Sequence, residues 1–195
     1  MRTRLISLAV IVAVNAAEVH GAPALLTLTS ADASIVFQTS HRGITARGGS
    51  RHDLYKVERT LADQLQRAYA AEQLMVVDRD DIRYYVVLTQ AMSRPLSMGQ
   101  GYCGAGEEHR LLLITSSGRT LRQSDNLLIS SCLESFEPRI LGAKEGTIRA
   151  ALDVDAKHDV IRFSWLGDAP DTRRFLSIEH GRYVLELRPE HASAD

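Results

Sequence analysis

Residues 109–131 decide the fold: His109-Arg110-Leu111-Leu112-Leu113-Ile114-Thr115-Ser116-Ser117-Gly118-Arg119-Thr120-Leu121-Arg122-Gln123-Ser124-Asp125-Asn126-Leu127-Leu128-Ile129-Ser130-Ser131. Two strand-like segments, His109–Ile114 and Asn126–Ser131, lie either side of Ser116-Ser117-Gly118-Arg119, a turn signal because Gly and Ser favour turn conformations. The reading is an antiparallel hairpin. In a regular hairpin, residues equidistant from the turn face each other. Cys103 and Cys132 have their midpoint between Ser117 and Gly118, so they are placed to meet across its open end. The expectation is one structural disulfide, Cys103 to Cys132, contributing about 3–4 kcal/mol in the chain-entropy model.

Working outward, Gln73–Val77 and Ile82–Thr89 flank Asp78-Arg79-Asp80-Asp81 and predict a second hairpin with a polar turn. Upstream, Ala24–Thr29 and Ser34–Gln38 read as two short strands. Downstream, Ile148, Ala150, Leu152 and Val154 alternate, as do Ile161, Phe163 and Trp165, then Tyr183, Leu185 and Leu187. Period-two alternation buries one face of a strand and wets the other, the pattern of antiparallel sheet. Against these strands stands one helical pattern, from about Asp53 to Glu72. Leu54, Val57, Leu61, Leu65 and Ala68 recur there at three- and four-residue spacing and so share one face. The expected fold class is therefore α+β: a single domain rich in antiparallel β-meander, with one long amphipathic helix packed on the sheet and one disulfide.

The N-terminus carries a different signal. A basic start, Met1-Arg2-Thr3-Arg4, precedes the apolar run Leu5–Val14 and then small residues, the three parts of a secretory signal peptide. The run is shorter than the roughly 20 residues that span a bilayer. Cleavage is expected after Ala16, or as late as Gly21, leaving residues 17–195 as the globular domain. Arg2 and Arg4 go with the signal, so the formal charge of −1 becomes −3 in the mature chain. That balance disfavours nucleic acid, whose binding requires clustered Lys and Arg. The other apolar runs, such as Tyr84–Leu88 and Leu111–Ile114, are too short for stable membrane insertion. The expected location is the periplasm or the medium, where oxidising conditions favour disulfides over free thiols.

The segment Tyr102-Cys103-Gly104-Ala105-Gly106-Glu107, followed by Ser131-Cys132, resembles the cysteine pattern of some uncharacterised exported bacterial proteins. The resemblance spans about 30 residues and implies no function.

No catalytic motif is complete. Gly99-Gln100-Gly101-Tyr102-Cys103-Gly104 matches the dinucleotide fingerprint in letters, yet a strand-like run follows where that fingerprint needs a helix. Ser97 lacks the first glycine of a nucleophile elbow. Asp78, Asp80 and Asp81 lack the glycine and distant glutamate of a calcium loop. The seven histidines show no ligand spacing. Glu107 and Glu108 adjoin, but neighbours on a strand point to opposite faces. No cofactor, metal or catalytic residue is assigned.

Two loops are the candidate binding features. Thr39–Ser50, rich in Gly, Arg and Ser, reads as a mobile loop, and one candidate is the overlapping segment His41–His52, with Arg42, Arg47 and Arg51 among glycines; guanidinium groups grip carboxylates in pairs of hydrogen bonds. The other, Met92–Glu108, carries Met98 and Tyr102 and exceeds the length of ordinary connections. The expected function is a protein–protein binding module of the cell envelope, of the inhibitor, immunity or assembly accessory type, whose partner is another envelope or secreted protein. Two alternatives stand beside it. One is an envelope hydrolase using Glu107, His109 or His158; the other is a small-ligand carrier lined by the long loop.

Overall fold

The computed structural model describes residues 24–48, 53–79, 81–93, 106–140 and 147–190. The expected signal peptide lies outside them. So do Arg51, Met98, Tyr102 and Cys103.

Eight strands form one sheet: β1 (Ala24–Thr29), β2 (Ser34–Ser40), β3 (Gly43–Gly48), β4 (Leu54–Val57), β5 (Ala68–Arg79), β6 (Ile82–Met92), β7 (Glu107–Ser117) and β8 (Thr120–Ser131). Their spatial order is β1-β2-β3-β4-β8-β7-β6-β5, antiparallel except for the short parallel step from β4 to β8. The sheet curls until its two edges meet. There Gln73 on β5 stands in for a strand partner: its Oε1 accepts from the Thr29 amide at 2.7 Å and its Nε2 donates to the Thr29 carbonyl at 2.9 Å. One side chain thus satisfies backbone groups that an open edge would leave unpaired.

Against the core of this near-barrel packs the helix, α1 (Arg59–Arg67), with Arg59, Thr60, Asp63, Gln66 and Arg67 exposed to solvent. Leu61 and Leu65, four residues apart and fully buried, point into a core with Leu28, Phe37, Tyr85, Leu112 and Leu121. The helix lays this one apolar edge on the barrel core, keeps its other face in solvent and is nine residues long. This corrects the expected α+β arrangement of a long helix lying on a sheet. The apolar spacing of Leu54–Ala68 is real, but its two ends belong to strands. Leu54 lies on β4 and is 64% exposed, and Ala68 is already extended as the first residue of β5. The helix therefore holds only the middle of the stripe, where Arg, Leu, Ala and Gln favour helix. Asp53, read as part of a helix start, instead pairs with Arg119 at 3.2 Å.

A second sheet, β9 (Asp153–Asp155), β10 (Val160–Phe163), β11 (Thr172–Glu179) and β12 (Arg182–Pro189), is an antiparallel meander in the order β12-β11-β10-β9. Ile161, Phe163, Leu176 and Ile178 from this sheet pack against Val77, Val86, Leu111 and Leu113 on the outer face of the barrel. Strands β6 and β7 are consequently covered on both faces, Tyr85 and Leu112 inward, Val86 and Leu113 outward. That is why Tyr84–Leu88 and Leu111–Ile114 read as unbroken apolar runs, since a strand with no wet face has no need to alternate.

Both predicted hairpins form. Ser117 pairs with Thr120 around Gly118, whose φ of +57° suits glycine, and Arg79 pairs with Ile82. The mobile-loop reading is corrected over residues 39–48: Thr39 and Ser40 end β2, and Gly43, at φ +118°, turns the chain into β3, on which Ala46 is buried; residues 49 and 50 lie outside the described residues. The alternation at 148–154 is corrected as well. Ile148–Ala151 is a 3-10 turn capped by the Thr147 hydroxyl, and only Asp153–Asp155 is strand. The single described cysteine is Cys132. The structure describes no disulfide, because Cys103 lies outside the described residues; Cys132 is not a free thiol. No helix among the described residues is long and apolar enough to cross a membrane.

Candidate functional site

Four backbone irregularities fall where β5–β8 are paired, and two of them shape one end of the sheet. On β5, Ala68 pairs with Ala91 and Ala70 with Gln90, so Tyr69 is an extra, bulged residue. On β8, Ser130 pairs with His109 and Leu128 with Arg110, so Ile129 is extra. A bulge re-aims the side chains beside it. Here the Tyr69 hydroxyl donates to Glu107 Oε1, and Ser130 comes to the same wall as His109.

Glu107 and His109 are two apart on β7 and so share a face, the one that continues into Leu111 and Leu113 of the inter-sheet core. Gln90, directly across from His109 on β6, donates from Nε2 to Glu107 Oε2 at 2.6 Å. The Glu107 carboxyl is held below the usual range by the Tyr69 hydrogen bond, reinforced by Gln90, against an opposing effect of burial. His109 is nine-tenths buried, and its Nε2 stands 3.8 Å from Glu107 Oε2. Burial pushes its pKa down, the neighbouring carboxylate opposing, so the ring is neutral at pH 7. Its Nδ1 is buried without a hydrogen-bond partner among the described residues.

These residues form the shared wall of two adjoining cavities, of 1120 and 580 Å³. The larger lies between the end of β7–β8 and the second sheet. Its opposite wall is Trp165, fixed from several sides. The Trp165 Nε1 donates to the Ile129 carbonyl at 2.9 Å, and Phe136 and Phe163 each meet its ring edge-on at 5.5 Å. The Arg174 guanidinium covers its face at 4.2 Å. Asp168 grips Arg174 through both carboxylate oxygens, at 2.6 and 2.9 Å, and also accepts from the Trp165 amide. The Arg174 charge holds the Asp168 carboxyl below its ordinary value. The wall is rigid because each polar group in it has a partner.

The rim is apolar. Among the described residues, the exposed large hydrophobic side chains are Leu54, Tyr69, Met92, Leu133, Leu166 and Leu187. Four of the six belong to this end: Tyr69 bonds Glu107, Met92 is the cross-strand partner of Glu107, Leu133 follows Cys132, and Leu166 follows Trp165.

Of the residues singled out in the sequence, the structure brings Glu107 and His109 together with Cys132 at one cleft. His158 is elsewhere, on the β9–β10 turn, with Nδ1 2.8 Å from Asp155. Arg42 lies in the β2–β3 turn and Arg47 on exposed β3, and neither lines the cleft. Glu108 turns away from Glu107 and pairs with Arg110 at 3.2 Å, as strand alternation requires. The same alternation, applied to Glu107 and His109, would have put these two on one face. Tyr69, Gln90 and Trp165 carried no such signal, because each reaches the site by a bulge or a cross-strand pairing. No group of three or more His, Cys, Asp or Glu among the described residues is placed to hold a metal. No protein-family model, curated protein or solved structure matches this chain.

Proposed function

We propose that this protein is an exported binding module of the cell envelope that docks another envelope or secreted protein over the mouth of the inter-sheet cleft. The observation that supports this reading is that exposed Leu166 lines the larger cavity while exposed Tyr69 and Met92 adjoin Glu107 on its wall and exposed Leu133 follows the lining residue Cys132. Apolar side chains scattered singly over a surface need no explanation, but apolar groups gathered around a concave site are where interface anchors sit. Export rests on the arrangement of Met1–Ala17. The test places a photo-crosslinking amino acid at position 133 or 166 in cells, with position 54 as an equally exposed apolar control. One discrete adduct from 133 and 166, absent from 54 and lost when Met92→Asp is added, supports the reading; equal labelling from position 54 refutes it.

A second reading, hydrolysis, has one observation in its favour: a neutral histidine and an ionised carboxylate share a cleft wall with Ser130. Turnover of peptidoglycan, peptide or ester substrates that is abolished by His109→Ala would replace binding with catalysis.

A further inference from the structure

We propose that the Glu107–His109 corner of the cleft is a recognition socket for a basic side chain, lysine or arginine, presented by the protein partner. The proposal rests on the docking reading above and names the chemistry its partner must carry.

Three acids near this corner have an arginine: Asp168 has Arg174 at 2.6 Å, Glu108 has Arg110 at 3.2 Å, and Glu72 has Arg149 at 3.2 Å. Glu107 differs. It is held by two neutral donors, the Tyr69 hydroxyl and the Gln90 amide, and no Lys or Arg among the described residues pairs with it. Neutral donors fix a carboxylate in place and keep it ionised while leaving its charge uncompensated. A carboxylate oxygen has two lone-pair directions, so each Glu107 oxygen retains acceptor capacity.

The second observation is His109. Its side chain is nine-tenths buried and lines both cavities; Nδ1 is buried without a partner among the described residues, and Nε2 is the nitrogen nearer Glu107. The 3.8 Å between Nε2 and Glu107 Oε2 is too long for a direct hydrogen bond. It is the span that one donor nitrogen, about 2.8–2.9 Å from each atom, would bridge. An ammonium or guanidinium group supplies donors and no acceptors, matching a carboxylate beside a neutral imidazole. An anion would meet Glu107, and Glu137 on the same cavity wall adds a second negative charge. The approach is apolar: the stem of a lysine or arginine would pass Tyr69 and Met92 at the rim, where aliphatic carbons pack while the charged head goes on to the socket.

The test uses the mature chain, isotope-labelled, with blocked tripeptides carrying arginine, lysine, norleucine or glutamate at the centre. The His109 ring resonances are followed by NMR. The arginine and lysine peptides are expected to shift them with saturation, and to bind at least about tenfold more tightly than the norleucine and glutamate peptides. Glu107→Gln, which preserves shape and removes charge, should abolish that preference; the wild-type series already decides the matter if the variant misfolds. Equal binding of norleucine, or no response to any peptide, overturns the proposal. Butylamine or butylguanidine binding as tightly as the peptides would reassign the socket to a free small cation. Peptide selectivity without crosslinking from positions 133 and 166 would keep the socket and refute the docking surface; the converse would refute the socket alone.

Discussion

Replacing Leu65 with alanine tests the central feature of this fold, a short helix that seats two leucines in the core of a near-barrel sheet. Leu65 is fully buried, and its neighbours are barrel side chains such as Phe37, Tyr85 and Leu112, held on strands whose hydrogen bonds limit inward collapse. Removing three carbons at about 0.8 kcal/mol each costs about 2.4 kcal/mol in transfer free energy. A cavity that relaxes only partly adds about 1 kcal/mol, so the expected loss is about 3–4 kcal/mol, within the range for buried leucine truncations. With an m-value of about 2 kcal/mol/M, the urea midpoint followed by circular dichroism falls by about 1.5–2 M. Leu54→Ala is the matched control. A helix over residues 53–72 would put Leu54 on the same buried stripe, whereas here it is an exposed residue of β4, and its truncation is expected to change stability by less than about 0.5 kcal/mol. A loss below about 1 kcal/mol for Leu65→Ala, or similar losses for both variants, would refute this seating of the helix.

Three further outcomes are expected. Asp168→Asn strips Arg174 of its charged partner while leaving an oxygen for the Trp165 amide; because Arg174 is partly exposed, the cost is about 2 kcal/mol, and Trp165 fluorescence should shift as the wall loosens. Burial depresses the His109 pKa below 6.5, so its unfolded form binds more protons than its folded form. Stability is then fully present above pH 6.5 and falls as pH drops from there towards the folded pKa; thermal unfolding between pH 7 and pH 5 should show that loss, and His109→Gln should flatten it. Tyr183 has a buried hydroxyl without a partner among the described residues, and Tyr183→Phe should raise stability by about 1 kcal/mol in urea unfolding; a loss of that size would mean that the hydroxyl is satisfied.

How much of this was legible depends on the range of the interaction involved. The hairpins at Gly118 and at Asp78–Asp81 were readable because turn chemistry and flanking alternation are local in the chain. The helix was overextended because Leu54, Val57 and Ala68 keep helical spacing while sheet pairing claims them: Val57 pairs with Leu121, and Ala68 with Ala91. Such pairings lie tens of residues away, and local propensity yields to them. Residues 39–48 were misread as loop for a related reason. Glycine content marks where a chain can turn, and only the partners Val36 and Leu54 make Arg47 a strand residue. In the site, the opposition of Glu107 to Glu108 followed from strand alternation, but Tyr69 reaches Glu107 only because β5 bulges, and no composition rule announces a bulge.

The sequence by itself therefore determined the strand-rich character, the two tight hairpins and the doubly apolar runs of β6 and β7, all properties written in neighbouring residues. Tertiary structure alone decided that the sheet closes through Gln73, that a short helix seats Leu61 and Leu65 in its core, and that an ionised Glu107 and a neutral His109 share one cleft wall. The physical reason is that closure, seating and desolvation arise between residues far apart in the chain. Burial sets the charge state of His109, and what buries it is a fold that no stretch of its own strand encodes.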